Sequence, residues 1–287
     1  MTARARVSSA TIYVDAVAGS DANDGTTPAT ALKTIQRAFD YASGNFDICP
    51  PFTWTPGPGT YIGERAPIVI QMAPAPAATP YVLPQPAYLD GYGLTAPVLL
   101  RGDPANPTDY FIRSNSTFQG LTAQNGARLI CDGFAIVGVN DCTLINGLTE
   151  GSIRIRNVWF GQVAAQALGH GACPLGAAGG SQVEIDGPIT MWGAGNFAAT
   201  LSAIEDGRLI LAPGHSINFQ NAMDFGVMFG LMHASCWTMG SPPVFGGPGL
   251  AGCTGQKYSA SCQAFLGFNH TLIPGTGGFS DATSTVL

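Results

Sequence analysis

The sequence predicts an all-β protein wound as a stacked parallel β-helix, with one amphipathic helix near its start. Three observations predict it: weak internal copies about 27 residues long, an apolar period of two inside each copy, and a composition rich in turn formers and poor in charge.

Only 10% of the 287 residues are charged, well below the roughly 25% of an average soluble domain, while 38 are Gly and 21 are Pro. Both residue types penalise helix interiors and favour turns, so many short strands are expected. The net charge of −6 offers no electrostatic footprint for nucleic acid or an anionic membrane. No apolar run reaches the length of a membrane span or of a signal-peptide core. The expectation is a soluble chain assembled in a cytoplasm, without a signal peptide, nucleic-acid partner or membrane insertion.

The copies align on a glycine that precedes each alternating stretch: "GARLICDGFAIVGV" from Gly126, "GSIRIRNVWFGQV" from Gly151, "GSQVEIDGPITMWGA" from Gly180 and "GRLILAPGHSINFQNA" from Gly207. A fifth, "ASCWTMGSPPVFGG" from Ala234, carries Ala instead, and "PIVIQM" and "PVLLRGD" from Pro67 and Pro97 extend the series backwards. Leu129 and Cys131, Ile153 and Ile155, Val183 and Ile185, and Leu209 and Leu211 fall on one face of their strands. Arg128, Arg154, Arg156, Glu184 and Arg208 fall on the other. A unit this short cannot bury its apolar face alone, whereas stacked copies share one core. Parallel stacking would place Leu129, Ile153, Val183 and Leu209 in an aliphatic ladder with a spacing of about 4.8 Å.

An open coil end templates aggregation unless it is covered. The stretch "TPATALKTIQRAFDYAS" supplies the cover: Thr30 is the expected N-cap, and Leu32, Ile35, Phe39 and Ala42 recur at helical spacing.

The segment "IYVDAVAGSDANDGTTPATALKTIQRAFDYA", from Ile12 to Ala42, resembles the start of right-handed parallel β-helix proteins of the pectate-lyase-like superfamily, where a strand and a polar loop precede a capping helix. It is especially similar to the versions in bacteriophage virion proteins such as tail spikes, tail fibres and head-associated fibres. "RGDPANP" from Arg101 resembles the turn that ends an early rung in such proteins. The resemblance implies a right-handed coil, a homotrimer, and contacts with other virion proteins and with host surface glycan. The superfamily holds glycan hydrolases, glycan lyases and inert scaffolds alike, so activity must come from residues.

Glycan hydrolysis needs two carboxyl groups, about 5 Å apart for retention or about 6.5–9.5 Å apart for inversion. Asp132 and Asp186 each fall six residues after their glycine, which puts them at one corner two rungs apart, on the order of 9.6 Å. The rung between offers Arg156 or Asn157, depending on whether apolar positions or glycines are aligned. Glu184, outward beside Asp186, and Glu205, just before Gly207, complete the catalytic candidates. A lyase would need a calcium cluster of carboxylates beside a basic residue, and no acidic triplet crosses the arginine stripe.

No metal or cofactor is expected. The four histidines lack ligand spacing, neither HExxH nor GxSxG occurs, and the calcium-loop likeness of "SDANDGT" fails because the twelfth position from Asp21 is Leu32. The seven cysteines form no CxxC pair and are odd in number, so free buried thiols are expected, with Cys253 and Cys262 the one pair placed to bridge. Of Trp54, Trp159, Trp192 and Trp237, the last three fall in repeats but do not share a column, so core or subunit contacts are favoured over sugar stacking.

Three stretches follow: a strand and capping helix (1–46), a parallel β-helix with Pro-rich insertions (47–250), and a C-terminal assembly segment (251–287), together one structural domain. The insertions, Asp47 to Pro67 and Ala73 to Pro97, are too Pro-rich for strands and are expected to lie extended against a neighbour. The expected function is a non-enzymatic virion component, a head decoration, fibre or tail spike. The competing class is a glycan-cleaving hydrolase or lyase of a tail spike.

Overall fold

The computed structural model describes residues 5–7, 10–48, 68–92, 94, 96–139, 142–162, 173–193, 197–239 and 242–287. The chain winds into a right-handed parallel β-helix whose turns pass through three sheets of ten, seven and eight strands, here called sheets I, II and III. A separate parallel pair joins Ala5–Val7 to Phe46–Ile48. Each turn runs from sheet I to II to III; one full turn is Arg128–Asp132, Ala135–Gly138 and Thr143–Gly147.

Alternation decides which side chains enter. In sheet I, Leu129, Ile153, Val183 and Leu209 pair in register one after the next, and a second column runs through Cys131, Ile155, Ile185 and Leu211. Sheet II contributes Ile112, Ile136, Phe160, Met191 and Phe219, and sheet III contributes Leu121, Ile145, Leu175, Leu201 and Phe229. These columns merge into one buried core that runs the length of the coil.

The register resolves the alignment in favour of the apolar positions. Gly126 and Gly180 sit in the left-handed region, at φ 78° and 73°. Gly151 and Gly207 stand one place later, where an added Cβ would lie 2.1 Å from the Ala123 carbonyl oxygen and 2.2 Å from that of Ala177. Equivalent turns hold Thr149 and Glu150, Glu205 and Asp206, and Cys262 and Gln263 at positive φ. That strain is offset by a backbone ladder, in which Glu150 N–H donates to Gly179 O and Gly180 N–H to Glu205 O, both at 3.0 Å.

The capping helix α1, Ile35–Asn45, closes the first turn and buries Ile35, Ala38, Phe39 and Ala42. Its N-cap is Thr34, whose Oγ1 accepts from Arg37 N–H at 3.2 Å, and not Thr30, which ends a 3-10 turn over Pro28–Thr30. Leu32 therefore precedes the helix and bridges to Val14. Asp21 explains the shift: its Oδ1 accepts from the N–H groups of Lys33 and Thr34, and its Oδ2 from the Thr34 hydroxyl, which fixes the chain just before the helix. Among the described residues, no helix is long and apolar enough to cross a membrane.

Two expectations on the flanks are corrected. The stretch from Ala73 to Pro97 contains strands Tyr81–Leu83 and Ala87–Asp90, which enter sheets II and III. The prolines that flank them, Pro80, Pro84 and Pro86, sit outside these strands, where no ladder N–H is needed. The coil also does not stop at residue 250. Strands Thr254–Ser261 and Phe279–Ser280 extend sheet III, while Phe265–Gly267 and Thr285–Val286 extend sheet I. Most of the first Pro-rich insertion, with Cys49 and Trp54, lies outside the described residues, as does His170.

Candidate functional site

The outer face of sheet I gathers three of the four candidate carboxylates. Asp132 pairs in register with Arg101 on one side and Arg156 on the other. Asp186 follows one rung further, its N–H donating to Ile155 O at 3.1 Å. Four side chains of alternating charge, Arg101, Asp132, Arg156 and Asp186, thus climb one corner of the coil. A parallel column beside it carries Ile130, Arg154, Glu184 and Ile210.

The contacts follow from this alternation. Arg156 Nε lies 3.0 Å from Asp132 Oδ2, and its Nη1 lies 3.8 Å from Asp186 Oδ2. Arg154 Nε stands 3.5 Å from Asp186 Oδ2 and 3.7 Å from Glu184 Oε2. The second Asp132 oxygen accepts from Asn157 Nδ2 at 2.8 Å, with Asn157 held at φ 53°. Asp132 is therefore held through both oxygens. Glu184 Oε1 and Asp186 Oδ1, by contrast, are buried without a hydrogen-bond partner.

Asp186 feels this burial most. Desolvation pushes its carboxyl up to about 6, against the pull of Arg156 and then Arg154, with Glu184 and Asp132 adding repulsion. A carboxyl so placed holds its proton well above the usual range, which is a property of general acids. Arg156, however, fills the rung between Asp132 and Asp186. The two carboxylates share a guanidinium where a scissile bond would have to lie.

Glu205 does not join them. It occupies an exposed left-handed turn at the start of strand Arg208–Leu211, whereas Asp186 follows the end of strand Gln182–Ile185. The two positions are separated by a strand length, on the order of 15–20 Å.

As their spacing predicts, Trp159, Trp192 and Trp237 do not share a column. Trp159 pairs with Ala135 and Thr190, and Trp192 with Gly161, on neighbouring outer columns of sheet II. They pack with Phe111, Ala135 and Val137 into a small apolar cluster outside the main core, with Phe111 and Trp192 edge to face at 5.9 Å. Gly161 makes room: an added Cβ would lie 2.7 Å from the Trp192 ring. Trp237 is on sheet I, in register with Ile210.

Other sequence signals are absorbed by turns. Asp103 of the Arg101–Asp103 tripeptide accepts from Ala105 N–H and Asn106 Nδ2. Cys253 and Cys262 are free and flank the strand Thr254–Ser261, so they lie on the order of 30 Å apart and cannot bridge. Two shallow hollows of about 460 Å³ each share Pro243 and Leu272 near the C-terminal end, and no carboxylate lines either.

Asn157 as a hydrogen-bond partner of Asp132, and Arg101 as its in-register neighbour, escaped the sequence reading. The signal that could have found Arg101 is the alternation of sign down the corner column once apolar positions, and not glycines, set the register. No protein-family model matches the chain, and no curated protein and no solved structure matches it.

Proposed function

We propose that this chain is a non-enzymatic structural protein of a bacteriophage virion, a head decoration, fibre or tail-spike component that forms a homotrimer on the particle. Its coil acts as a rigid scaffold and presents its outer faces to other virion proteins and to host surface glycan. The observation that carries the non-enzymatic reading is the corner column: Asp132 and Asp186 are tied to the same Arg156, and Glu184 and Asp186 to the same Arg154. Carboxylates neutralised in this way form a brace between rungs. The phage assignment draws on the similarity of Ile12 to Ala42 to virion β-helix proteins.

Purified particles test the reading through quantitative mass spectrometry. A fixed copy number per particle, in multiples of three, is the expected result. Absence from particles that are otherwise complete overturns it.

One observation favours the competing class. The raised proton affinity of Asp186 suits a general acid, and a glycan-cleaving enzyme would use it. Under that reading the chain releases new reducing ends from host surface glycan, and Asp186→Asn stops the release. No release by the wild-type chain removes this reading and leaves the scaffold.

A further inference from the structure

The outer face of sheet II differs from that of sheet I in carrying almost no charge. Its seven strands hold one charged residue, Arg113, in a chain of net charge −6. On sheet I, Arg154 and Arg156 are matched by Glu184, Asp132 and Asp186. Arg113 has no such match: among the described residues it meets no carboxylate, and its Nε is buried without a hydrogen-bond partner. The side chain as a whole is only half-buried, so the far end of the guanidinium reaches the surface.

Its surroundings are aromatic. Arg113, Val137, Gly161 and Trp192 follow one another in register up one outer column. Trp192 lies back along that column, since a Cβ added to Gly161 would stand 2.8 Å from Trp192 Nε1 and 3.1 Å from Val137 Cγ1. The indole N–H edge therefore rests beside Val137, about 10 Å or less up the column from Arg113. It too is buried without a partner, although the ring keeps part of its surface in solvent. Phe111 and Trp159 line the neighbouring column, Phe111 edge to face with Trp192. Buried donors of these two kinds ordinarily find acceptors. Two orphans on one aromatic patch mark an acceptor that the described chain does not supply.

We infer that this shelf on sheet II binds an acidic saccharide unit, whose carboxylate pairs with the guanidinium of Arg113 and whose ring packs on Trp159 and Trp192. A sugar acid fits because its ring joins an apolar C–H face to a single charge at the rim, and the shelf joins indole surface to a single cation. The inference rests on the reading that the outer faces of the coil meet host surface glycan, and it names the sheet and the chemistry.

Isothermal titration calorimetry of the full chain tests this with two probes, a glucuronate-bearing and a sialic-acid-bearing oligosaccharide, each beside its carboxyl-reduced counterpart. At least one acid binds saturably, and its reduced counterpart binds about tenfold or more weakly. Arg113→Met loses the same factor and melts no lower than the wild type, because it removes a charge that has no partner in the fold. Binding of neither acid, equal binding of the reduced counterpart, or wild-type affinity in Arg113→Met overturns the inference. A lower melting temperature in that variant assigns Arg113 to the fold and overturns it as well. If sedimentation shows that Arg113→Glu breaks up a wild-type oligomer, the shelf is a subunit contact and the saccharide loses its place. These outcomes stay separate from the particle count: a chain present in virions that binds neither acid keeps its structural role and loses only the shelf.

Discussion

Asp186 shows how a single side chain sets a pH dependence. Burial raises its carboxyl from the ordinary 3.8 to about 6 even though Arg156 and Arg154 pull the other way. The folded state therefore holds the proton more tightly than the unfolded chain. Its contribution is most favourable below about pH 4, declines as pH rises from there through about 6, and is flat above. Asp186→Asn removes this titration and leaves the others in place. The melting temperature of the variant should gain on that of the wild type as pH rises from 4 to 7, measured by circular dichroism in matched buffers. A difference independent of pH would show that the arginines compensate the buried charge fully. The position of this corner was legible from the sequence, since the count from the glycine brought Asp132 and Asp186 together. The register was not, because the repeat glycines are of two kinds. Gly126 and Gly180 supply a positive φ, while Gly151 and Gly207 supply closeness to a neighbouring carbonyl, and one letter of sequence does not separate the two needs.

Among elements, α1 illustrates what a helix must do at the end of a parallel coil. Strand Ala87–Asp90 is the first strand of sheet III, so its outer backbone groups meet no strand among the described residues. Gln36 takes that place: its Oε1 accepts from Tyr88 N–H at 2.7 Å, and its Nε2 donates to Tyr88 O at 3.1 Å and to Asp40 Oδ1 at 2.7 Å. One amide side chain thereby mimics a residue of the missing strand. Gln36→Ala should cost about 1–3 kcal/mol by leaving the Tyr88 groups without a partner. Gln36→Glu should cost at least as much, because a carboxylate cannot donate to Tyr88 O and repels Asp40. Urea titrations of both variants check the order, and a Gln36→Glu chain as stable as the wild type would refute the amide pairing. The helix itself was plain from the spacing of Ile35, Phe39 and Ala42. Its start was not, because Asp21 sets the cap from thirteen residues away in the chain. The strands at Tyr81–Leu83 and Ala87–Asp90 were hidden for a related reason. Prolines flanking a short strand look the same in sequence as prolines that forbid one.

For the molecule as a whole, the decisive property is that each turn rests on its two neighbours and on little else. Ile153 sits midway in a column with Leu129 below and Val183 above, fully buried, so Ile153→Ala should cost about 2–5 kcal/mol. How that loss is expressed depends on whether the coil unfolds as one body. Columns from all three sheets pass this turn without interruption, since Ile136, Phe160 and Met191 line sheet II and Ile145, Leu175 and Leu201 line sheet III. Weakening one of several parallel columns should leave the coupling between the two halves intact. Ile153→Ala is therefore expected to lower the denaturation midpoint while the slope of stability against denaturant, which reports the surface exposed on unfolding, stays at its wild-type value. A reduced slope would mean that the two halves separate at this turn. The same one-dimensional logic explains why the fold could be read from so weak a repeat. Only the inner positions of each turn must match, and they need only be apolar, as the ladder from Leu129 to Leu209 shows. The outer positions carry Arg154, Glu184 and Ile210 at equivalent places with no rule that a sequence alone would reveal. Whatever surface the coil offers to a partner is written in those unconstrained positions.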